Sequence, residues 1–375
     1  MLVVNGRGDM GGPPSATLDY LLARRAARVT AIHHPLTEED GNVHLITEYR
    51  AGQQASERVV RLPSRPPWTY PLDALVPPRT PRVDGWFGFN NLACARGLLE
   101  RRLGRADTVT YWAIDFVPNR FGAGTLLTRA YEAFDRYCCL NADLRVELSR
   151  QALEGRDANN RLAAGAGARR LIAPIGVWLE RLPVTDDEAW QRRRLVFLGH
   201  LVERMGVDTA IKAVSVMVQR GADVTLDIVG RGPSEKELRT AVRDLGLEHL
   251  VTFHGFVSRE QLERVLAEAS VALAPYSTRV ENFTRFADPA KLKSYLAAGL
   301  PIVVTEVPPN AHELEREGGG QVVPDDPVAF ADAIEQLLLQ PEEWKRRRTD
   351  ALQYARRFDW NGIVESALTA AGFTR

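Results

Sequence analysis

From residue 195 onward, the hydrophobic positions follow two alternating periods. Short stretches rich in apolar and β-branched residues stand at 195–198, 224–229, 251–253, 271–274 and 302–304. Between and after them, at 207–218, 233–245, from 258, and at 291–298, 309–316, 327–339, 342–356 and 361–371, apolar residues recur every three or four positions. The first pattern suits strands buried on both faces. The second suits helices laid against a sheet, so the order predicts five or six parallel strands with covering helices. Ser258 and Gln261 form a capping box ahead of Leu262, Val265 and Leu266. In 283–305, Gly299 stops a helix, Pro301 bars its continuation, and Ile302, Val303 and Val304 make the next strand.

The first half keeps this rhythm with more interruptions. Strands are predicted at 2–4, 28–34, 43–49, 83–89 and 108–114, and helices at 15–26 and 91–103. A further helix carries Leu126, Leu127, Ala130, Tyr131 and Phe134. The runs 136–140 and 171–175 read as the last strands of this half, with 155–170, rich in Gly and Ala, as loop. After the first strand comes NGRGDMGGPP, where Gly11 and Gly12 let a ligand approach the backbone. Its spacing is not GxGxxG, so it does not support a dinucleotide fingerprint, and a purely structural turn fits equally. Residues 61–82, rich in Pro and Arg with Trp68 and Tyr70, read as a long surface loop. The weakly patterned 180–194, with four acids and four arginines, reads as a linker. The expected domains are 1–182 and 183–358, followed by a terminal helix in 359–375.

Two α/β domains agree with a length of 375 residues, which is too long for one ordinary core. Hydrophobic residues make up 45% and charged residues 26%, as in a soluble globular protein. Lys plus Arg equals Asp plus Glu at 48 each, so no global charge argues for a nucleic-acid partner. Cys94, Cys138 and Cys139 lack metal-ligand spacing and fit a reducing cytosol. No long apolar run or leader is evident, so the expected location is cytoplasmic; contact with the inner face of a membrane stays open. The histidines lack paired ligand spacing and no Asp-x-Asp occurs, so neither a metal nor another cofactor is expected.

Candidate chemistry centres on two places. Asp288, Pro289 and Lys291 precede or open the 291–298 helix, where backbone N–H groups and the macrodipole favour an anion and a lysine adds a full charge. Asp115 closes the 108–114 strand at its carboxyl end, where open α/β sheets bind ligands, and Arg120 follows on the same loop.

Three segments, FLGHLVERMGVDTAIKAV, then DIVGRGPSEKELRTAVRDLGLEHLVTFHGFVSREQLERVLAEASVALAPY, then PAKLKSYLAAGLPIVVT, together resemble the carboxyl-terminal domain of family-4-like glycosyltransferases (glycosyl transferases group 1). The resemblance covers about 170–357; YWAIDFVPNRF, AYEAFDRYCCLNADLRVELS and ENFTRFADPAKLKSYLAAGLP resemble one bacterial and archaeal branch. It implies an α/β GT-B fold, two Rossmann-like domains facing across a cleft, with the last helix crossing back to the first. It also implies sugar transfer from a nucleotide-diphosphate donor, a UDP-sugar first among the candidates, to a saccharide, lipid-linked or small-molecule acceptor.

Carried over position by position, the family's phosphate-binding Arg falls on His200 and its Lys on Met205, leaving Arg204 and Lys291 as the available cations. The family's Glu-x7-Glu pair falls on Phe286 and Ser294, so both carboxylates are absent, and Glu281 and Asp288 are the nearby acids. Gly230, Arg231, Phe256 and Val257 match positions around the nucleotide base. The expected donor-binding set is therefore Gly12, His200, Arg204, Gly230, Arg231, Val257, Glu281, Asp288, Lys291 and Ser294. Asp115 is the candidate catalytic base, with capping of the PNRF turn as its structural alternative, and Arg120 is the candidate acceptor ligand. An epimerase or phosphorylase on the same fold, or a degenerate sugar- or nucleotide-binding protein, are the alternatives.

Overall fold

The computed structural model describes residues 2–5, 12–35, 42–63, 82–163 and 165–373. Gly11, Trp68 and Tyr70 fall outside them. The chain divides into two compact units, Met1–Gly176 with Trp360–Arg375, and Val177–Asp359. Among the described residues no helix is long and apolar enough to cross a membrane.

The first unit contains β1 (Leu2–Asn5), α1 (Pro13–Ala23), β2 (Arg28–His34), β3 (Val43–Arg50), β4 (Gln53–Arg61), β5 (Val83–Gly88), α2 (Asn91–Arg102), β6 (Ala106–Ala113), α3 (Leu126–Asn141), β7 (Leu144–Glu147), α4 (Arg150–Asn159) and β8 (Arg169–Ile172). They build an eight-stranded sheet in the order β4-β3-β2-β1-β5-β6-β7-β8. β3 pairs antiparallel with both β2 and β4 at one edge, and the other pairs are parallel.

Several sequence expectations change here. Residues 136–140 are not a strand but the end of α3, which Thr125 caps by accepting from the Thr128 amide. Its last turns carry Cys138 and Cys139 into the core, a placement that an apolar run alone does not distinguish from a strand. The true strand, β7, is fully buried although it carries Arg145 and Glu147, and those charges hid it from the hydrophobic pattern. Part of the expected 155–170 loop belongs to α4, which Ser149 caps and Arg156 anchors. β4 was not anticipated because, as an exposed edge, it has little apolar alternation to read.

The second unit contains β9 (Arg194–Leu198), α5 (Val207–Gln219), β10 (Thr225–Val229), α6 (Glu235–Asp244), β11 (Val251–Gly255), α7 (Arg259–Glu268), β12 (Val271–Ala274), α8 (Ala290–Ala297), β13 (Ile302–Val304), α9 (Ala311–Glu317), β14 (Gly320–Val322), α10 (Pro327–Leu339) and α11 (Pro341–Ala355). All strands are parallel, in the order β11-β10-β9-β12-β13-β14. This is the doubly wound arrangement, and its strand order reverses between β9 and β12. The expected linker is packed into this unit: Thr185 and Ala189 are buried, and Thr185 Oγ1 donates to the Ala298 carbonyl at 3.0 Å. The chain then returns to the first unit, where α12 (Trp360–Ala370) packs against α1.

At the strand-order reversal, the loops after β9 and β12 touch through one glycine. Gly206 has φ 65°, and a Cβ there would stand 1.6 Å from the Pro275 carbonyl oxygen, so the loops after β9 and β12 meet backbone to backbone. Gly206→Ala is therefore expected to cost at least about 2 kcal/mol in urea unfolding. Gly221→Ala, at φ 85° with open space around it, is expected to cost about 1 kcal/mol.

Candidate functional site

In a doubly wound sheet the ligand crevice lies outside the carboxyl ends of the strands flanking the reversal, here β9 and β12. Gly199 follows β9 with φ 144°, and Gly230 follows β10 with φ 137°. A Cβ on Gly230 would lie 1.9 Å from the Gly199 carbonyl oxygen, so this approach admits only glycine. The Gly199 amide donates to Val229 (2.9 Å), the Leu201 amide to Arg231 (2.9 Å), and the Gly230 amide to Gly255 (2.9 Å). Three successive loops are thus locked together by main-chain bonds.

Lys291 reaches this place from the first turn of α8. It is 8% exposed, and its ammonium lies 4.2 Å from the Phe197 ring centre, 4.4 Å from that of Tyr276 and 3.7 Å from Met205 Sδ. A Cβ placed on Gly199 would be 3.5 Å from Lys291 Nζ, so the lysine points at the glycine turn. Among the described residues no carboxylate pairs with it. Burial alone pushes its pKa down to about 7. Beside it, the buried Tyr276 hydroxyl has no hydrogen-bond partner among the described residues. A desolvated lysine and an unsatisfied hydroxyl thus stand side by side at the sheet reversal, an arrangement able to take an anion.

The second lysine of α8 behaves in the opposite way. Lys293 is fully buried and pairs with Asp288, while its ammonium sits 4.7 Å from the Phe358 ring centre. Asp288, proposed from sequence as a donor ligand, is thus committed to an internal ion pair.

The remaining predicted residues of this unit are spread around the crevice. His200 and Arg204 are exposed on the loop after β9, and Arg204 has no ion-pair partner among the described residues. Arg231 is exposed, with its guanidinium 5.8 Å from the Phe256 ring centre. Val257 and Ser294 are half-buried, and Glu281 is exposed, 3.5 Å from Arg285. Residues that sequence reasoning passed over support the loops. Asn282 Nδ2 donates to the carbonyls of Arg204 (2.8 Å) and Ser277 (3.0 Å). Asp325 accepts from the Thr278 amide (2.9 Å) and Thr209 (2.8 Å), and Arg279 bridges Asp325 to Asp208. Polar residues dispersed from 208 to 325 give no local motif by which to find this frame.

In the first unit, Asp115 lies beyond β6 and is half exposed. Its Oδ2 accepts from Arg120, while Oδ1 has no partner among the described residues. The loop is anchored from below. Arg156 on α4 donates to the Asp115 carbonyl and pairs with Asp135 (2.6 Å) and Glu147 (2.9 Å). Tyr111 and Asn160 also donate to Asp135. Burial pushes the Glu147 carboxyl up, and Arg156 and Arg145 oppose that shift. The cavity within the cluster, bounded by Asp115, Arg120, Tyr131 and Arg156, is about 10 Å³, too small for a sugar. The carboxylate of Asp115 is open only on its exposed side.

Gly12, the remaining predicted donor ligand, belongs to the first unit. It caps α1 in the first unit, and Pro13 and Pro14 after it have no N–H to offer an anion.

Residues 192–340 match the family model described as glycosyl transferases group 1. The chain carries a glycosyl transferases group 1 domain. It is 29% identical over 183 residues to the amylovoran biosynthesis glycosyltransferase AmsK of Erwinia amylovora, covering 48% of this chain and 45% of that protein. It is 30% identical over 187 residues to the GDP-mannose-dependent alpha-(1-6)-phosphatidylinositol monomannoside mannosyltransferase of Mycobacterium tuberculosis, covering 47% and 49%. The chain thus spans about half the length of the relatives it matches. Sucrose-phosphate synthase of Thermosynechococcus elongatus superposes with a TM-score of 0.64 at 16% identity, covering 90% of this chain and 87% of that one. The fold is GT-B. Lys291, Tyr276 and the glycine turns all lie within the group 1 domain.

Arg156→Ala leaves Asp135 and Glu147 buried beside an absent partner, and unfolding by urea is expected to show a loss of about 3–5 kcal/mol. A loss under about 1 kcal/mol would mean that the cluster is solvated and does not anchor the Asp115 loop.

Proposed function

We propose that this protein transfers a sugar from a nucleoside-diphosphate donor to a hydroxyl of a saccharide, lipid-linked or small-molecule acceptor, without a metal ion. The observation that carries this reading is Lys291, a buried cation with no carboxylate partner among the described residues, aimed at the glycine turn of the group 1 domain. As the sugar–phosphate bond breaks, negative charge grows on the departing diphosphate. A lysine in a low-dielectric pocket, together with the backbone N–H groups of the Gly199 loop, stabilises that charge. Arg204 and Arg231 supply further positive charge at the rim, and His200, Val257, Glu281 and Ser294 line the donor's surroundings. Asp115 Oδ1 takes the proton from the acceptor hydroxyl. Arg120 holds the other carboxylate oxygen and orients the acceptor. Uridine is the base the family resemblance puts first, and guanosine is the base for which the mycobacterial relative is named.

Donor binding without transfer is the second reading, favoured by one observation: Asp115 is already ion-paired with Arg120.

In a thermal-shift assay, UDP or GDP at millimolar concentration is expected to raise the melting temperature, and Lys291→Met to abolish most of that rise. Because free Lys291 loses its proton near 7, while the bound diphosphate raises its pKa, affinity should fall about tenfold per pH unit above about pH 7. The Lys291→Met variant should lack this slope. Asp115→Asn should lower transfer at least about a hundredfold with diphosphate binding intact, and a chelator should leave turnover unchanged. No shift with either nucleotide contradicts the donor site. Binding with no transfer to any acceptor in a broad panel selects the second reading.

A further inference from the structure

At the amino end of the first unit's sheet the strands do not start level. Leu2, the first residue of β1, pairs with Ala31 of β2 and Phe87 of β5. β2 starts three residues before Ala31, at Arg28, and β5 starts four residues before Phe87, at Val83. Below β1, no described strand stands between 28–30 and 83–86. A cavity of about 1230 Å³ lies there, walled by both strands together with α1 and α12. Tyr20, Val29, Val83, Phe87, Leu368 and Phe373 make part of the wall apolar. The Phe373 ring passes over Gly85, where a Cβ would stand 2.2 Å from it, and its centre is 5.9 Å from that of Phe87.

Four arginines border the same cavity: Arg24, Arg28, Arg50 and Arg82. Arg82 is held by Asp107 at 2.7 Å. Arg24 lies 3.6 Å over the Tyr20 ring, and Arg28 donates to the Arg82 carbonyl at 3.3 Å. Among the described residues no carboxylate is in ion-pair contact with Arg24, Arg28 or Arg50. The placement of Arg28 and Arg50 is unfavourable in itself. They are direct partners across β2 and β3, so their Cβ atoms leave one face about 5 Å apart, where like charges repel. Glu48, two positions along β3 on that face, is in ion-pair contact with neither. A group that accepts from both guanidiniums relieves the repulsion. It needs a double charge and several oxygens to serve two forks, which is the chemistry of a phosphate. Asp84 and Glu365 also stand on the wall, so a polyanion spread through the whole cavity is disfavoured and the charged group belongs at Arg28 and Arg50. The apolar wall then takes an uncharged body attached to it.

We infer that this cavity binds a small organic phosphomonoester, with its phosphate between Arg28 and Arg50 and its apolar body against the rings of Tyr20, Phe87 and Phe373. The site lies at the amino ends of β2 and β5, whereas Asp115 follows the carboxyl end of β6 and Lys291 belongs to the second unit. It uses nothing from the donor site, so the two bindings can fail separately. The test is calorimetric titration of the full chain with phenyl phosphate, beside inorganic phosphate and phenol. Phenyl phosphate should bind at least about tenfold more tightly than either, because only it meets both the arginines and the apolar wall. Arg50→Glu should weaken phenyl phosphate at least about tenfold while the melting temperature holds or rises, since a like-charge cross-strand pair becomes an opposite-charge one. Lys291→Met should bind phenyl phosphate like wild type. If Arg50→Glu lowers the melting temperature, Arg28→Gln decides in its place: weakened binding supports the site, and unchanged binding overturns it. The inference is also overturned if phenyl phosphate does not bind at millimolar concentration, or if inorganic phosphate binds as tightly. It is overturned too if Lys291→Met loses the binding that Arg50→Glu keeps, which would put the probe in the donor site.

Discussion

A lysine ammonium enclosed by two aromatic rings and a thioether, with no carboxylate partner among the described residues, is the constraint around which the second unit is built. Desolvation penalises the charged form, and the cation–π contacts with Phe197 and Tyr276 offset only part of that cost. The contrast with Lys293 makes the point within a single helix. Two residues along, a lysine buried even more deeply carries Asp288 as its partner. The chain therefore contains the means to neutralise a buried lysine and leaves Lys291 without it. A site kept in that condition gains more from an arriving polyanion than one whose lysine is already paired, because the ligand restores a charge that burial had suppressed.

Position matters as much as charge. The glycines at 199, 206 and 230 let the loops after β9, β10 and β12 approach main chain to main chain, and any side chain at Gly206 or Gly230 would strike a carbonyl oxygen. Asn282 and the Asp325–Arg279–Asp208 bridge then fix the loop after β12 without placing a carboxylate on Lys291. In the first unit the same division holds between support and exposure. A buried ion cluster around Arg156 carries the Asp115 loop from beneath, and the Asp115 carboxylate is left half exposed. Each unit thus holds one supported group at the carboxyl ends of interior strands, a buried lysine in the second and a carboxylate in the first.

Much of this was legible in the residues. The central strands β9, β12 and β13 are nearly continuous apolar runs because both faces are covered, and the Ser258–Gln261 box and the Gly299 stop mark helix ends through local hydrogen bonds. Lys291 could be picked out because a cation at a helix start is itself a local signal. What stayed hidden depends on partners distant in sequence. β7 escaped notice because Arg145 and Glu147 are buried through ion pairs with residues of α4, which no period records. The end of α3 was read as a strand because adjacent buried cysteines fit either geometry. Asp288 looked available for a ligand because nothing local reveals that Lys293 takes it. Gly12 reads equally as a ligand turn or a structural one, and in the fold it caps α1 with two prolines following it.

Proton uptake on nucleoside-diphosphate binding tests the central claim most directly. Calorimetric titration of UDP or GDP near pH 8, in buffers of differing ionisation enthalpy, counts the protons taken up by the complex. Lys291, largely neutral there when free and charged when bound, should account for close to one proton in the wild-type chain and none in Lys291→Met. Binding of equal strength without proton uptake, or the same uptake in both proteins, would contradict a diphosphate held by Lys291.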